Sequence, residues 1–228
     1  MARQRLSRHV RPAAVCFDLD GVLIDSMPLH ARAWREALAQ RGLAVPRRDI
    51  YLWEGEPGHV TVSRLLRRAG RTASRQAMQE LLIGKERRFK TLALRLSVRP
   101  SLARLLTRLA EQVPLALVTG TSRHEVVRVV PRTILRLFSA IVTGDQVRHG
   151  KPHPEPYRKA FAALGVRPSR AAVIENAPYG IRSARRANAG WVLALASSLP
   201  PPYLREADAI VTTVTALRKA VLKLTAAD

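Results

Sequence analysis

The segment CFDLDGVLIDS, residues 16–26, places two aspartates where an apolar run ends. Asp18 and Asp20 are separated by one residue, and in an extended chain such residues point to the same side. Two carboxylates this close repel each other unless a cation lies between them or one of them holds a proton. The pair therefore indicates either turn-forming acids at a strand end or a metal-assisted catalytic site.

Polar residues also follow three other apolar runs that we interpret as strands. Thr119 ends the run LALVT, Lys151 lies in a loop after SAIVT, and Glu175 and Asn176 end AAVIEN. Open α/β sheets bind ligands beyond the carboxyl ends of their strands. Four strand ends that carry such residues predict one shared site.

The short apolar runs alternate with helical patterns, which is typical of a parallel sheet covered by helices. We predict an α/β fold with a Rossmann-like three-layer α/β/α core. Its predicted strands are Ala13–Leu19, Pro114–Thr119, Ser139–Thr143, Ala171–Glu175, Trp191–Leu195 and Ala209–Val211.

The long segment between the first two strands shows helical spacing instead. Helices are predicted at Leu29–Arg41, Thr61–Ala69, Arg75–Leu94 and Ser101–Gln112, and VPRRDI and EGEPGH are interpreted as breaks. The last helix leads into the sheet, whereas the others predict an inserted α-helical cap domain above its ligand-binding edge. The predicted division is a core of residues 11–26 and 99–228, a cap of residues 27–98 and a basic tail of residues 1–10.

The composition is that of an ordinary globular protein, with 228 residues, 47% of them hydrophobic and 25% charged. No apolar stretch approaches the roughly 20 residues that span a bilayer, so no membrane partner is expected. The single cysteine, Cys16, lies in an apolar run. We therefore expect a buried thiol in a reducing, cytoplasmic compartment.

The formal charge of +22, from 39 Lys+Arg against 17 Asp+Glu, is the unusual feature of the chain. Such a charge attracts phosphate groups on metabolites or on nucleic acid. The basic residues are spread through nearly every predicted helix, without one dominant stripe. We therefore expect a small phosphorylated partner rather than nucleic acid, and a monomer or weak dimer.

Four motifs in order, DLDGVLIDS, LVTGTS, GKPHPEPY and VIENAPYGIRSARRANAG, resemble those of the haloacid dehalogenase-like superfamily. The helical insert after the first motif is similar to that of the subgroup containing phosphoglycolate phosphatase and β-phosphoglucomutase. The resemblance extends from about Ala13 to Leu195. It implies a phosphatase, since an acid stands at Asp20, the position where true dehalogenases of the superfamily lack one.

The resemblance also implies the catalytic roles. Asp18 is the expected nucleophile, forming a phosphoaspartyl enzyme, and Asp20 the expected general acid and base. Mg²⁺ is the expected cofactor, held by the Asp18 carboxylate, the Asp20 backbone carbonyl and the Asn176 side chain. Most relatives carry aspartate where this chain has Asn176, which removes a charge from the site. Glu175 is expected to compensate in part or to hold metal-bound water.

Further residues are implied in phosphate and substrate binding. Thr119, the Gly120 backbone and Lys151 are expected to contact the phosphoryl group. Ser26, His30 and Glu54 are the expected substrate or cap residues, although a histidine packed beside an aromatic residue is equally compatible with the pattern. His149 and His153 are expected at the surface. The basic residues of KERRFK, between Lys85 and Lys90, are expected on the helical surface, with an inward orientation as the alternative.

The loop LWEGEPGHV carries acids and no Arg or Lys. Such a loop is a poor site for a second phosphate, which favours a phosphatase acting on a sugar phosphate or phosphoglycolate-like monophosphate. Two alternatives stay open from the sequence: a β-phosphoglucomutase-like phosphomutase, and a non-catalytic protein of the same fold that binds phosphoryl groups or nucleic acid.

Overall fold

The computed structural model describes residues 11–226 and contains one six-stranded parallel sheet. The strands are β1 Ala14–Phe17, β2 Leu115–Val118, β3 Ala140–Val142, β4 Ala171–Glu175, β5 Trp191–Leu195 and β6 Ala209–Val211. All six predicted strands are confirmed, the first three being shorter than predicted. The predicted tail of residues 1–10 lies outside the described residues.

The sheet order is β3-β2-β1-β4-β5-β6, so the chain proceeds from β1 to one side and then returns to the other. Cys16 of β1 pairs with Ala116 of β2 and with Val173 of β4. The direction of winding therefore changes between β1 and β4. In doubly wound sheets the crevice at this switch point is where ligands bind, and here it is flanked by the two acidic segments at the ends of β1 and β4.

Side chains that alternate along the strands build two separate apolar layers. Phe17, Leu117 and Ile174 belong to one cluster, whereas Cys16 and Val173 belong to the other. This period of two is expected for strands buried on both faces. The Rossmann-like α/β/α architecture is thus confirmed, and Cys16 is fully buried as predicted.

Six helices join the core clusters or the loops around them: α5 Pro100–Ala110, α6 Arg123–Val129, α7 Arg132–Leu135, α8 Glu155–Ala163, α9 Pro178–Arg186 and α10 Val214–Thr225. Helices α5 and α10 contribute leucines to the Phe17 side. Helices α8 and α9 cover the Cys16 side, where Ile181 and Ala184 of α9 pack into the cluster.

Four helices lie between β1 and α5: α1 Met27–Ala39, α2 Arg47–Leu52, α3 Gly58–Arg68 and α4 Arg75–Leu92. We refer to them as the inserted helices. They pack around an apolar cluster of their own that includes Trp34, Leu38, Ile50 and Leu65. Among the described residues, no helix has the length and apolar character required to cross a membrane.

The interpretation of VPRRDI as a break is wrong, because α2 begins directly after Pro46. Proline disfavours helix at the residue before it but is compatible with the start of a helix. Asp49 lies in the first turn, where a carboxylate is favourable. Its Oδ2 also accepts a hydrogen bond of 2.6 Å from Arg68 of α3, which fixes this short helix against its neighbour.

Candidate active site

Asp18, directly after β1, lies at the centre of the site and is 2% exposed. Its Oδ1 accepts a 2.7 Å hydrogen bond from the Lys151 ammonium group. Its Oδ2 is buried and has no partner among the described residues. A buried carboxylate oxygen without a donor is costly, so this atom indicates where a cation or an electrophile binds.

Lys151 is held between two acids. Its Nζ donates to Asp18 and, at 2.6 Å, to Oε1 of Glu175, and it also donates to the Val118 carbonyl. The Tyr157 hydroxyl donates to the same Glu175 oxygen at 2.6 Å. Burial lowers the pKa of Lys151, but the two carboxylates outweigh it and raise the pKa above its ordinary value. The lysine is therefore charged, and three strand ends fix its position.

Glu175 is fully engaged by protein donors. Besides Lys151 and Tyr157 on Oε1, the Asn176 backbone N–H donates to Oε2 at 3.1 Å. In this arrangement the carboxylate orients the lysine. Its predicted contribution to a metal site stays a prediction.

Asn176 is 1% exposed, and neither its Oδ1 nor its Nδ2 has a partner among the described residues. It packs against Gly21, where the chain turns with φ +81°, and a Cβ there would lie 2.0 Å from the amide nitrogen. Only glycine permits that approach without strain. The unpartnered oxygens of Asp18 and Asn176 form a hard-oxygen donor set of the type that Mg²⁺ prefers, so the residues present fit the expected ion.

The Asp20 carboxylate accepts four side-chain hydrogen bonds. Its Oδ1 accepts from Ser26 Oγ at 2.6 Å and lies 3.2 Å from His30 Nε2. Its Oδ2 accepts from the hydroxyls of Thr119 at 3.2 Å and Thr121 at 2.7 Å. The structure thus brings the predicted residues Ser26, His30 and Thr119 together around Asp20.

These contacts set the charge state of Asp20. Burial alone raises its pKa, but the hydrogen bonds from His30, Ser26 and Thr121, with the charge of His30, lower the pKa below its ordinary range. The pKa of His30 is itself lowered, mainly by burial and then by the charge of Lys85, against the opposing effect of Asp20. Asp20 is therefore ionised in this state.

The loop after β2 carries the predicted phosphate contacts. Thr119 is 3% exposed, and its Oγ1 also accepts the Thr121 backbone N–H at 3.0 Å. Gly120 packs against Gly55 of the inserted segment, since a Cβ at Gly120 would lie 3.1 Å from the Gly55 Cα. The loop that is expected to hold phosphate thus faces the inserted helices.

Glu54 and Gly55 lie in the loop between α2 and α3, above Lys151. Gly55 has φ +82°, and a Cβ there would lie 2.6 Å from the Lys151 Cδ. Burial, followed by the charge of Asp20, raises the pKa of Glu54 to about 8. Next to this loop is a cavity of about 280 Å³ that is lined by the inserted helices and by the loops after β2 and β3.

The expectation that the basic residues of KERRFK lie on the helical surface is wrong for Lys85, because Lys85 lines this cavity. The Lys85 ammonium group lies 5.5 Å from the Trp34 ring centroid and 5.2 Å from that of Phe89. Such cation–π contacts hold it on the inner side of α4. His149 and His153, by contrast, are exposed as predicted.

Sequence reasoning missed Tyr157 and the Thr121 side chain. Tyr157 is fully buried within the apolar layer beneath the sheet, and its position in the sequence is that of a core aromatic residue. Thr121 offered a clearer signal, because it follows Thr119 at the same two-residue spacing as the aspartate pair.

The chain is similar to known hydrolases over most of its length. A family model for haloacid dehalogenase-like hydrolases matches residues 12–188. The fructose-1-phosphate phosphatase of Escherichia coli is 30% identical over 185 residues, which cover 78% of this chain and 94% of that protein. A phosphorylated carbohydrates phosphatase of Thermotoga maritima is 31% identical over 199 residues, with coverage of 82% and 86%.

Among solved structures, that of CbbY from Rhodobacter sphaeroides in complex with phosphate superposes with a TM-score of 0.74 at 27% identity, covering 89% of this chain and 94% of that one. Together, the family match and these relatives confirm the resemblance that the four motifs predict. The chain belongs to the haloacid dehalogenase-like hydrolase family.

Proposed function

We propose that the protein is a Mg²⁺-dependent phosphatase that hydrolyses the phosphate monoester of a small metabolite through a phosphoaspartyl intermediate on Asp18. The observation that carries the proposal is the asymmetry of that carboxylate: Lys151 binds Oδ1, while Oδ2 is buried without a partner. Relatives named as phosphatases of fructose 1-phosphate and of phosphorylated carbohydrates support the substrate class.

In the first step the Asp18 carboxylate attacks phosphorus, and the ester P–O bond breaks as the new O–P bond forms. Lys151 stabilises the negative charge that develops on the transferring group. A Mg²⁺ ion held by Asp18, the Asp20 carbonyl and Asn176 would supply further charge neutralisation for the carboxylate and the phosphoryl oxygens.

Asp20 gives a proton to the departing alkoxide in this step and must therefore be protonated beforehand. In the structure, the hydroxyls of Thr119 and Thr121 both donate to Asp20 Oδ2. A phosphoryl group bound in the adjacent loop would compete for these donors. Their loss would raise the pKa of Asp20 toward that of a general acid.

In the second step Asp20, now ionised, accepts a proton from water as the water oxygen attacks phosphorus. The O–P bond to Asp18 breaks, which releases inorganic phosphate, restores the Asp18 carboxylate and leaves Asp20 protonated for the next cycle. Asp20 thus acts as acid and then as base, while the covalent intermediate on Asp18 splits one difficult displacement into two easier ones.

The test is phosphate release from a panel of sugar phosphates, 2-phosphoglycolate and p-nitrophenyl phosphate, with Mg²⁺ and with excess EDTA. We expect release only with the metal. Interconversion of sugar phosphate isomers stimulated by a bisphosphate would instead indicate a mutase, and an absence of turnover on every substrate would contradict the proposal.

Asn176→Asp is expected to tighten Mg²⁺ binding about tenfold or more, because it adds a charge to a buried side chain that has no partner among the described residues. Calorimetric titration of the substrate-free protein measures this affinity directly. Asn188→Asp, at an exposed position outside the site, makes the same chemical change and serves as control. Unchanged or weaker binding in the Asn176 variant would show that this side chain is not a ligand.

A further inference from the structure

The cavity of about 280 Å³ adjoins the residues that would protonate the leaving group. His30 and Thr121 line it, and both contact the Asp20 carboxylate, at 3.2 Å and 2.7 Å. If the proposed function holds, the part of the substrate beyond the phosphoryl group must occupy this cavity. Its charge and shape then select the leaving group.

The cavity wall is acidic in a strongly basic protein. Of the 17 acidic residues of the chain, five line it. Only two of the 39 Lys+Arg do so among the described residues. The acids are Glu54, Glu56, Glu86, Glu125 and Asp145, and the two basic residues are Lys85 and Arg148.

Two of these acids already have protein donors. Glu56 forms a 2.6 Å ion pair with Arg64, and the Thr143 hydroxyl donates to Asp145 at 2.6 Å. Neither carboxylate therefore needs a ligand.

Glu54 and Glu125 differ from these two. The Oε1 of Glu125 is buried and has no partner within the described part of the chain, while its Oε2 accepts from Ser122 at 3.2 Å. Glu54 is partly buried and lines the same cavity. The Glu125 Oε1 atom thus lacks the donor that a buried polar atom requires.

Lys85 is one of two basic residues against the five acids of the wall. Its ammonium group lies over the rings of Trp34 and Phe89, a position that already stabilises the cation. A second anion on the substrate would have to approach past the acids of the wall, where like charges repel it. A cation would instead provide a partner for the buried Oε1 of Glu125 and for the Glu54 carboxyl in the same wall.

We infer that Glu54 and Glu125 form a leaving-group subsite for a protonated amine. The substrate class is then a phosphate monoester of an amino alcohol or amino sugar, and a carboxylate-bearing ester such as phosphoglycolate is disfavoured. Both carboxyls serve in binding and recognition, and neither takes part in proton transfer.

Three phosphate esters of nearly equal size test this inference: phosphoethanolamine, 2-hydroxyethyl phosphate and 2-phosphoglycolate, which end in an amine, a hydroxyl and a carboxylate. Glucosamine 6-phosphate and glucose 6-phosphate form a larger matched pair. We expect kcat/KM to favour the amine over the hydroxyl at least about tenfold in one of the two sets, with the carboxylate lowest. Glu54→Gln and Glu125→Gln should each reduce that preference severalfold, mainly through KM. Glu111→Gln, at an exposed position directly after α5, serves as the control and should leave the preference unchanged.

Equal or better turnover of the hydroxyl ester in both sets would overturn the inference. So would an amine preference that survives in the Glu54 and Glu125 variants. Hydrolysis of p-nitrophenyl phosphate distinguishes failure of the amine preference from failure of the proposed phosphatase function. If it proceeds with Mg²⁺ but no amine is preferred, only the inference fails, whereas no release from any ester means that the proposed function fails.

Discussion

Asp18→Asn is expected to lower phosphate release by at least about 10⁴-fold, because it replaces the only nucleophile of the proposed mechanism with a neutral amide. The protein should remain folded. The side chain keeps its shape, and Lys151 retains Glu175 as a partner at 2.6 Å. The free energy of unfolding is expected to change by less than about 2 kcal/mol.

Two further measurements make this prediction specific. Wild-type protein quenched in acid during turnover should carry a phosphoryl group on the peptide that contains Asp18, and the variant should not. Asp25→Asn, in the same segment, makes the same change in an exposed side chain whose ion pair with Arg99 is 3.4 Å long and contributes little. Asp25→Asn should be fully active, and retention of a tenth of the wild-type rate by Asp18→Asn would assign the nucleophile elsewhere.

The sheet was predictable because its strands are buried on both faces. Such strands form short apolar runs with sharp polar ends, as in AAVIEN and LALVT, and parallel pairing then brings those ends to one edge. The convergence of Asp18, Lys151 and Asn176 follows from this topology. The prediction succeeds for residues whose neighbours are determined by their position along a strand.

The features that the sequence did not predict depend on contacts between residues far apart in the chain. Helix α2 has six residues, too few for a periodic pattern, and it is stabilised by the contact of Asp49 with Arg68 rather than by local propensity. Lys85 turns inward because Trp34 and Phe89 offer it aromatic faces. Tyr157 has the spacing of a core residue. The hydrogen bond from its hydroxyl to Glu175 can be recognised only from the structure.

Lys151→Met is expected to lower kcat/KM by about 10²- to 10³-fold, since it removes the charge that faces the transferring group. It should also destabilise the fold. The lysine is 2% exposed and separates two buried carboxylates, Asp18 and Glu175. Removing one member of such a buried arrangement costs about 3–5 kcal/mol, because the remaining charges lack compensation.

The pH dependence of the free energy of unfolding distinguishes the loss of charge compensation from a simple loss of packing. Burial raises the pKa of Asp18 even beside the lysine, and without the lysine the folded state takes up a proton at still higher pH. A carboxyl whose folded-state pKa is raised destabilises the fold at high pH, and this penalty disappears as pH falls toward the ordinary pKa. The wild type carries a smaller penalty of the same kind, because Lys151, whose raised pKa leaves it charged at pH 5 and at pH 8, opposes the rise in the pKa of Asp18.

Urea unfolding in metal-free buffer at pH 8 and pH 5 should therefore show a larger deficit for Lys151→Met at pH 8. Lys223→Met, at an exposed position of α10, removes the same charge from the surface and should show no such difference. An equal deficit at both pH values would mean that the methionine fits poorly and that the two carboxylates do not depend on the lysine. A deficit confined to high pH would show that the cation at the centre of the site holds the ends of β1 and β4 together as well as serving catalysis.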